Sequence, residues 1–424
     1  MSEPIVLSLS ELSPPLSVEI LPRGLVVNRF LVNVDGKAQM ILNDMDKSHT
    51  SIKTLSSVDT QTAFRRVLFQ SKEMDFKQLL TQFQMVYAPN LLNLIDYTFT
   101  SNPDLEHPKV SLHGGVEGFD TRDWKKIAIS EATLFSEKEK KDIAGLPDNA
   151  LFTHISEDGD QGFPGQLLIE VLFAVSPGNS SHPQLLEKAV TVGSFYIVYR
   201  ARLLEGDKNL ITPVNLTQHW GFNLEASLTE KGQPTPDIRD HRLFIKSDNT
   251  LELDELALAT GKLHPITNTP LGLTGARIGD NFPDGGYDSF YVFNQPINPV
   301  ESVRVPLSRL QSLDLFEQVL AAPARTDPLV RLSSERSGFT LAFDSNRKRL
   351  LVYNITPPNS LTEKERGNPS TDGQVRKETD MASIPLAAWL HPEIAISGDT
   401  LLTSDELYNN FVRVVVLFTP PATG

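Results

Sequence analysis

Residues 167–175 read LLIEVLFAV. The run is short, apolar and rich in β-branched side chains, which is typical of a strand that is covered on both faces. A second run, Ser194–Leu203 (SFYIVYRARL), alternates more regularly. One face of this second run carries Phe195, Ile197, Tyr199 and Ala201. Both runs indicate long strands in a β-rich core.

Further strand-like runs continue to the end of the chain. Phe339–Ile355 (FTLAFDSNRKRLLVYNI) predicts a hairpin around a polar Ser-Asn-Arg-Lys tip, and Phe411–Phe418 (FVRVVVLF) predicts a last buried strand. Short strands separated by Gly, Pro, Asn and Asp favour a sandwich, and the lack of a fixed-period repeat argues against a propeller. We therefore expect an all-β protein that forms one domain with loop insertions.

Helical signals are few. Ser136 and Glu139 fit a capping box ahead of the sequence KKDIAGL. The segment that starts at Ser308 (SRLQSLDLFEQVLAA) predicts an amphipathic helix, and Asp75–Tyr97 also has helical character until Pro89 interrupts it. Residues 357–380 are polar and carry Gly and Pro, which predicts a mobile loop. Helices are therefore expected only as insertions between strands.

The bulk composition excludes several classes of function. The chain has 424 residues, of which 40% are hydrophobic and 22% charged, as in an ordinary soluble globular protein. Its net charge of −14 argues against nucleic acid or an anionic membrane as a partner. The sequence has no cysteine, which excludes disulfides, thiolate metal sites and a cysteine nucleophile. The sequence shows neither a signal-peptide pattern nor about 18 consecutive apolar residues, so we expect a cytoplasmic protein.

Common catalytic and metal-binding motifs are absent from the sequence. Glu157–Gly165 (EDGDQGFPG) resembles the start of a calcium loop, but the twelfth position from Asp158 is Ile169, which cannot supply a bidentate carboxylate. We therefore interpret this stretch as a turn between strands. No His-Glu-x-x-His, Gly-x-Ser-x-Gly or phosphate-binding glycine motif occurs.

Three polar, glycine-rich stretches lie beside apolar runs. VSLHGGVEGFDTRDW carries His113 and Trp124, TPVNLTQHWGFNL carries His219, and GGYDSFYVFN carries Asp288. Taken singly, each stretch fits a structural turn. Together they supply two imidazoles, a carboxylate and aromatic side chains. A carbohydrate site uses this set, because aromatic rings stack on sugar faces and polar groups bind the hydroxyls.

The order of these motifs resembles that of aldose 1-epimerases, the galactose mutarotase family. The matching stretches are SLHGG with GFD and a Trp, DGDQGFPG, VNLTQHWGFNL, LATGKLHPITNTP and GYDSFYVFN, in that order. The opening ILPRGLVVNRFLVNVDGKAQMIL resembles the first strands of the family, and PLAAWLHPE and DELYNNFVRVVV resemble the closing strands of a fungal branch. The resemblance therefore spans roughly residues 18–418.

The resemblance implies a galactose mutarotase-like β-supersandwich with a few helical insertions. It implies one domain over residues 1–424, with an atypical insert at about 49–105 and the loop at about 357–380. The implied reaction interconverts the α and β anomers of a free aldose, usually galactose or glucose. No metal or other cofactor is implied, and the implied partner is the small-molecule sugar.

The resemblance also implies roles for individual residues. His219 corresponds to the general acid that protonates the sugar ring oxygen. His113 would hydrogen-bond sugar oxygens, and Asp288 would accept hydrogen bonds from sugar hydroxyls. Trp220 would form a wall of the site, whereas Phe222 fits either a wall or the core.

The sequence departs from the family pattern at two places. The family carries a sugar-binding Asn and Arg upstream of the first histidine. In this chain Asn90 matches the asparagine, but Leu91 or Leu92 replaces the arginine, and neither can provide the hydrogen bonds of a guanidinium. The catalytic base of the closest pattern is a glutamate four residues before Pro385, and that position is Met381.

Glu378 is the alternative base. Its use requires about three extra residues in the strand, and a one-residue change of register reverses the face on which a side chain lies. Three readings follow: an active mutarotase with a rearranged base, a sugar-binding protein with impaired catalysis, or a gene-model error in the two atypical segments. An epimerase of hexose 6-phosphates would need a cluster of arginines, which the neighbourhood of Asn90 lacks.

Overall fold

The fold is known from a computed structural model, which describes most of the strands. The described residues are 3–10, 15–34, 37–41, 69–70, 110–111, 118–177, 189–204, 210–218, 221–228, 238–253, 259–283, 286–293, 303–320, 327–346, 349–353, 382–383 and 401–420. The predicted helix at 75–97 and the predicted loop at 357–380 lie outside these residues. Of the predicted insert at 49–105, only Phe69–Gln70 is described.

Strands make up most of the described chain. The first strands are β1 (Ile5–Ser8), β2 (Leu16–Leu21), β3 (Val26–Val34), β4 (Lys37–Met40), β5 (Phe69–Gln70), β6 (Val110–Ser111), β7 (Lys125–Ile127), β8 (Asp148–Ser156), β9 (Leu167–Pro177) and β10 (Val190–Leu203). The middle strands are β11 (Ile211–Pro213), β12 (Gly221–Phe222), β13 (Arg242–Ile245), β14 (Ser247–Leu253), β15 (Ala259–Pro265), β16 (Thr274–Arg277) and β17 (Asp288–Phe293). The last strands are β18 (Arg304–Pro306), β19 (Val330–Ser333), β20 (Phe339–Ser345), β21 (Arg349–Tyr353), β22 (Ala382–Ser383), β23 (Leu401–Thr403) and β24 (Glu406–Phe418).

Helical elements are short. The α-helix α1 spans Glu137–Ala144, and a π-helical turn spans Phe316–Leu320. The 3-10 turns are Phe119–Thr121, Ile129–Glu131, Asp160–Gly162, Ala226–Leu228, Ile238–Asp240, Ile278–Asn281 and Leu307–Ser312.

The strands form antiparallel sheets. The largest sheet has the order β16-β13-β19-β20-β24-β10-β9-β8-β7, with β18 also paired to β24. A six-stranded sheet has the order β12-β22-β21-β17-β14-β15, and a four-stranded sheet has the order β1-β2-β3-β4. The pairs β11-β23 and β5-β6 are the remaining pairings among the described strands. The predicted all-β class with few helices is confirmed.

Strands β9 and β10 lie in the largest sheet and are buried on both faces, which the sequence predicts for β9 only. On one face, Phe173 stacks on Phe195 with ring centroids 6.1 Å apart, and Phe30 of β3 meets Phe195 edge-on at 5.6 Å. On the other face, Glu170 is buried, and its carboxylate accepts hydrogen bonds from Thr133 N and Leu134 N at 2.8 and 2.9 Å. A charge within this apolar run is therefore satisfied by the backbone of an adjoining turn.

Helix α1 covers the outer face of β10. The Ser136 hydroxyl accepts from Glu139 N, and the Glu139 carboxylate accepts from Ser136 N, so the predicted capping box is confirmed. The same carboxylate makes a two-bond ion pair with Arg200 of β10, with both N–O distances 2.7 Å. Both side chains are almost fully buried, so this pair fixes the helix on the sheet.

The predicted hairpin at Phe339–Ile355 is wrong. Strand β20 pairs with β19 and β24 in the largest sheet, whereas β21 pairs with β17 and β22 in the six-stranded sheet. The chain therefore crosses from one sheet to the other at this point. Both runs are apolar enough to be buried strands, and this property does not specify which partner each strand chooses.

The predicted helix from Ser308 is also not continuous. The segment forms a 3-10 turn at Leu307–Ser312 and a π-helical turn at Phe316–Leu320. Leu313 and Leu315 lie between or at the start of these turns and are buried, as are Val319 and Leu320. Packing of these side chains against two separate apolar clusters favours two short turns over one regular helix.

Candidate functional site

The segment that leads to His219 is held against the central strand β24. The backbone N–H of Leu216 donates to the hydroxyl of Tyr408 at 3.2 Å, and the Asn410 side-chain amide donates to the Leu216 carbonyl at 3.3 Å. Residues 214–218 are all buried. His219 and Trp220 lie outside the described residues, and Gln218 is the last described residue before them.

Gln218 is tied to the turn between β2 and β3. Its side-chain Nε2 donates to the Leu25 carbonyl at 3.2 Å, and its side chain is buried. Leu25 has a positive φ of 49°, which is uncommon for a residue with a side chain. The preceding Gly24 also has a positive φ, 69°, and a Cβ at Gly24 would lie 2.2 Å from the Asp120 carbonyl oxygen, so only glycine fits there.

The same turn binds the segment that follows the SLHGG motif. The Gly24 N–H donates to the Arg122 carbonyl at 2.8 Å, and the Trp124 N–H donates to the Pro22 carbonyl at 3.2 Å. One turn therefore contacts both the chain after His113 and the chain before His219. His113 itself lies outside the described residues. It is five positions before Gly118, the next described residue.

Trp124 is a core residue. It is 4% exposed, its indole N–H donates to the Phe119 carbonyl at 3.1 Å, and its ring lies 5.2 Å from that of His154. The Phe119 ring meets Trp124 edge-on at 6.2 Å. This cluster fixes residues 118–124, which follow the SLHGG motif in the sequence.

A single row of residues runs across four neighbouring strands of the six-stranded sheet. Gly221 of β12 pairs with Ser383 of β22, Ser383 pairs with Tyr353 of β21, and Tyr353 pairs with Asp288 of β17. Adjacent strands are about 4.8 Å apart, so the backbones of Gly221 and Asp288 are separated by three such steps, roughly 14 Å along the sheet. The row therefore joins the chain just after His219 to Asp288.

The row also passes the segment in which the base is expected. Strand β22 begins at Ala382, directly after Met381 and four positions after Glu378. Glu378 and Met381 lie outside the described residues, as does Asn90. Asp288 is the one predicted site residue whose backbone is described, as the first residue of β17.

Two tyrosines anchor β17 beside Asp288. The Tyr287 hydroxyl donates to the Pro270 carbonyl at 3.2 Å, and the Tyr291 hydroxyl donates to the Leu271 carbonyl at 3.0 Å. Burial raises the pKa of Tyr287 to about 12. Burial, and then the neighbouring Tyr287, raise the pKa of Tyr291 far above its usual value. Both hydroxyls therefore keep their protons at neutral pH and remain donors.

The chain after Trp220 is fixed in the core. Phe222 is fully buried and its ring meets that of Phe343 at 5.5 Å, so Phe222 belongs to the core and is not a wall of the site. The Leu224 N–H donates to Nε2 of buried His241 at 3.0 Å. The Asn223 N–H donates to the Ile41 carbonyl at 3.2 Å. These contacts hold the β12 segment from three sides.

The acidic stretch Glu157–Gly165 forms a turn, as the sequence predicts. Gly159 and Gly165 have positive φ values of 77° and 83°, and the Asp158 carboxylate accepts from Gly165 N at 2.5 Å. Asp160 instead pairs with the Arg122 guanidinium at 3.1 Å. Within the described ranges, no group of three or more His, Cys, Asp or Glu side chains is arranged to hold a metal ion.

Sequence reasoning missed several residues that shape this region. Gln218, Leu25, His241 and Tyr287 act through hydrogen bonds that depend on three-dimensional contacts. Tyr287 precedes Asp288 in the GYD motif, and Gln218 precedes His219. Their position next to a candidate residue was the only sequence signal that they shape the site. The left-handed conformation of Leu25 had no signal beyond the preceding glycine.

Solved structures of known proteins share this fold. An aldose epimerase homologue from C. elegans superposes with a TM-score of 0.58 and 15% identity, covering 98% of this chain and 100% of that chain. A galactose 1-epimerase from Lactobacillus acidophilus gives a TM-score of 0.58 and 14% identity, covering 97% and 93%. The chain therefore has a galactose mutarotase-like fold.

Part of the sequence also matches a known family. Residues 190–381 match the family model described as Aldose 1-epimerase. Galactose mutarotase from Homo sapiens is 32% identical over 163 residues, and aldose 1-epimerase from Escherichia coli (strain K12) is 30% identical over 167 residues. Over residues 190–381, slightly less than half of its length, the chain is therefore similar to the aldose 1-epimerase family.

The sequence match to these relatives is partial. It covers 38% of this chain and 35% of the human protein, and 39% of this chain and 36% of the Escherichia coli protein. The described chain contains no helix with the length and apolar character needed to cross a bilayer.

Proposed function

We propose that the protein interconverts the α and β anomers of a free aldohexose, galactose or glucose, by acid/base-catalysed ring opening. The curated relatives with sequence similarity carry the names galactose mutarotase and aldose 1-epimerase. The observation that carries the proposal is the row from Gly221 through Ser383 and Tyr353 to Asp288. It supports a common site because three of the chain segments that bear the proposed groups meet in neighbouring strands.

The proposed reaction requires one base and one acid. In the proposal, a carboxylate takes the proton of the anomeric hydroxyl, the bond between C1 and the ring oxygen breaks, and His219 protonates the ring oxygen. Rotation about the C1–C2 bond and closure by the reverse steps give the other anomer. Glu378 is the proposed base. The steps move protons only, so the reaction needs no oxidant or reductant.

The remaining proposed residues bind the sugar. Asp288 accepts hydrogen bonds from sugar hydroxyls, and His113 donates hydrogen bonds to sugar oxygens and helps to stabilise developing negative charge. Asn90 binds a hydroxyl, and Trp220 stacks on an apolar face of the ring. The tyrosine anchors on β17 support the role of Asp288, because they fix the strand on which it lies.

Polarimetry tests the proposal. Freshly dissolved α-galactose and α-glucose approach their equilibrium rotation slowly in buffer. We expect catalytic amounts of the protein to accelerate this approach in proportion to protein concentration. Measurable sugar binding with no acceleration over buffer would contradict the proposal.

The second candidate function is a sugar-binding protein with little or no turnover. The observation that favours it is Met381, which lies directly before β22 at the position where the closest family pattern has its glutamate. Methionine cannot accept a proton. The two candidates differ in the Glu378→Gln variant: an enzyme that uses Glu378 loses turnover but keeps binding, whereas the binding protein has no turnover to lose.

A further inference from the structure

We propose that Gln218 is a positioning residue that couples the two histidine-bearing segments through the turn at residues 22–25. Its effect on catalysis rests on the proposed function, but the coupling itself does not. The coupling starts from one hydrogen bond, in which Gln218 Nε2 donates to the Leu25 carbonyl at 3.2 Å. Gln218 is 3% exposed, so water does not replace this bond readily.

The acceptor residue, Leu25, has an unusual backbone conformation. Leu25 adopts a φ of 49° and is fully buried. Residues with a side chain seldom adopt this conformation unless the surrounding structure imposes it, and such outliers concentrate at functional sites. The left-handed backbone at Leu25 directs its carbonyl to the buried amide of Gln218.

The turn transmits this contact to the segment that follows His113. The Gly24 N–H holds the Arg122 carbonyl at 2.8 Å, the Trp124 N–H holds the Pro22 carbonyl at 3.2 Å, and Arg23 forms a β-bridge with Asp123. The turn lies close against this segment, because a Cβ at Gly24 would lie 2.2 Å from the Asp120 carbonyl oxygen. A change at the Leu25 carbonyl is therefore expected to reach residues 118–124.

The hydrogen bond between Gln218 and Leu25 is relevant to catalysis because of the position of Gln218 in the chain. His219 is the next residue, so the direction in which the chain leaves Gln218 determines where the proposed acid begins. Residues 118–124 are the first described residues after the SLHGG stretch. Displacement of a catalytic group by about 1 Å can lower a rate about 100-fold. Loss of the hydrogen bond from Gln218 to the turn is therefore expected to affect turnover.

The test compares two variants that each remove one amide-to-carbonyl hydrogen bond from the same segment. Gln218→Met keeps the length of the side chain and removes the donor to Leu25. Asn410→Leu, the matched control, removes the donor to the Leu216 carbonyl, two residues upstream of Gln218. Both side chains are buried, so we expect a similar fall in melting temperature.

The first readout is amide hydrogen exchange of residues 118–124 in the full chain. We expect faster exchange there in Gln218→Met and unchanged exchange in Asn410→Leu. Unchanged exchange in Gln218→Met, or equally fast exchange in both variants, would overturn the coupling. This readout needs no activity, so it decides the coupling even where the wild-type protein does not accelerate mutarotation.

The second readout is the split between kcat and KM for mutarotation. We expect Gln218→Met to lower kcat by about 10- to 100-fold with a smaller change in KM, since the proposed acid is displaced. Asn410→Leu should lower kcat less. Equal losses of kcat in the two variants would show only a general loss of structure and would overturn the positioning role. A wild-type protein without activity would contradict the proposed function, leaving the exchange result to stand.

Discussion

At the scale of single residues, the structure shows the hydrogen bonds of the residues on either side of the proposed acid. Gln218 and Leu224 flank the proposed acid, and both make buried hydrogen bonds, to the Leu25 carbonyl and to His241 Nε2 respectively. The identity of His219 as a candidate came from the sequence motif. The sequence did not predict these hydrogen bonds, because they join residues that are separated by 193 and 17 positions.

Replacing His219 tests the proposed acid. We expect His219→Ala to lower kcat by about 10²–10⁴-fold, the usual contribution of a positioned general acid. The matched control is His264→Ala, because His264 is 60% exposed on the edge strand β15 and pairs with Glu252. Polarimetric rates should fall only for His219→Ala. Equal rates for His219→Ala and the wild type would remove this residue from the mechanism.

Tyr287 gives the fold a predictable dependence on alkaline pH. Its pKa is raised to about 12 by burial, so its stabilising contribution is complete below the ordinary tyrosine pKa of about 10. The contribution is lost as the pH rises from there through about 12, because the unfolded chain ionises first. We expect Tyr287→Phe to show a smaller loss of unfolding free energy between pH 9 and 11, measured by urea titration at each pH. An identical alkaline loss in the variant would contradict this assignment.

At the scale of elements, the sequence predicted individual strands better than their partners. The runs at β9, β10 and β24 and the capping box at Ser136 were predicted because burial and caps have local signatures. The hairpin at Phe339–Ile355 was wrong because strand pairing depends on contacts distant in sequence. The same limit applies to the site. The row that joins Gly221 to Asp288 depends on the pairing of four strands.

The buried pair between Glu139 and Arg200 anchors α1 on β10. Removing one partner leaves the other charge buried, so we expect Arg200→Met to lower the unfolding free energy by about 3–5 kcal/mol. Adding Glu139→Gln should restore part of this loss, because the amide is neutral and its oxygen can still accept from Ser136 N. Urea unfolding of both variants provides the comparison. A double variant no more stable than Arg200→Met would show that the unpaired charge is not the cause.

At the scale of the whole molecule, the sheets share one apolar core. Phe222 of the six-stranded sheet meets Phe343 of the largest sheet, and Phe30 of the four-stranded sheet meets Phe195 of the largest sheet. All four rings belong to the same buried cluster. The sequence prediction of one domain over residues 1–424 stays a prediction, and a shared core of this kind favours cooperative unfolding.

Truncating Phe222 tests this cooperativity. We expect Phe222→Ala to lower the unfolding free energy by about 3–5 kcal/mol, as is usual for a large buried aromatic side chain. The loss should appear equally by far-UV circular dichroism and by tryptophan fluorescence, since both sheets depend on the same core. Separate transitions for the two probes would indicate sheets that unfold independently and would contradict the single-core account.

The most direct test of the proposed reaction is the rate of exchange between the α and β anomers of galactose at equilibrium. Magnetisation-transfer NMR measures this rate on the signals of the anomeric protons. The uncatalysed exchange between the α and β forms is slow, so any catalysis appears as added transfer between the two signals. We expect a transfer rate that rises linearly with the concentration of wild-type protein and is largely lost in His219→Ala. A transfer rate equal to that of buffer at every protein concentration, with galactose bound, would contradict the proposed reaction.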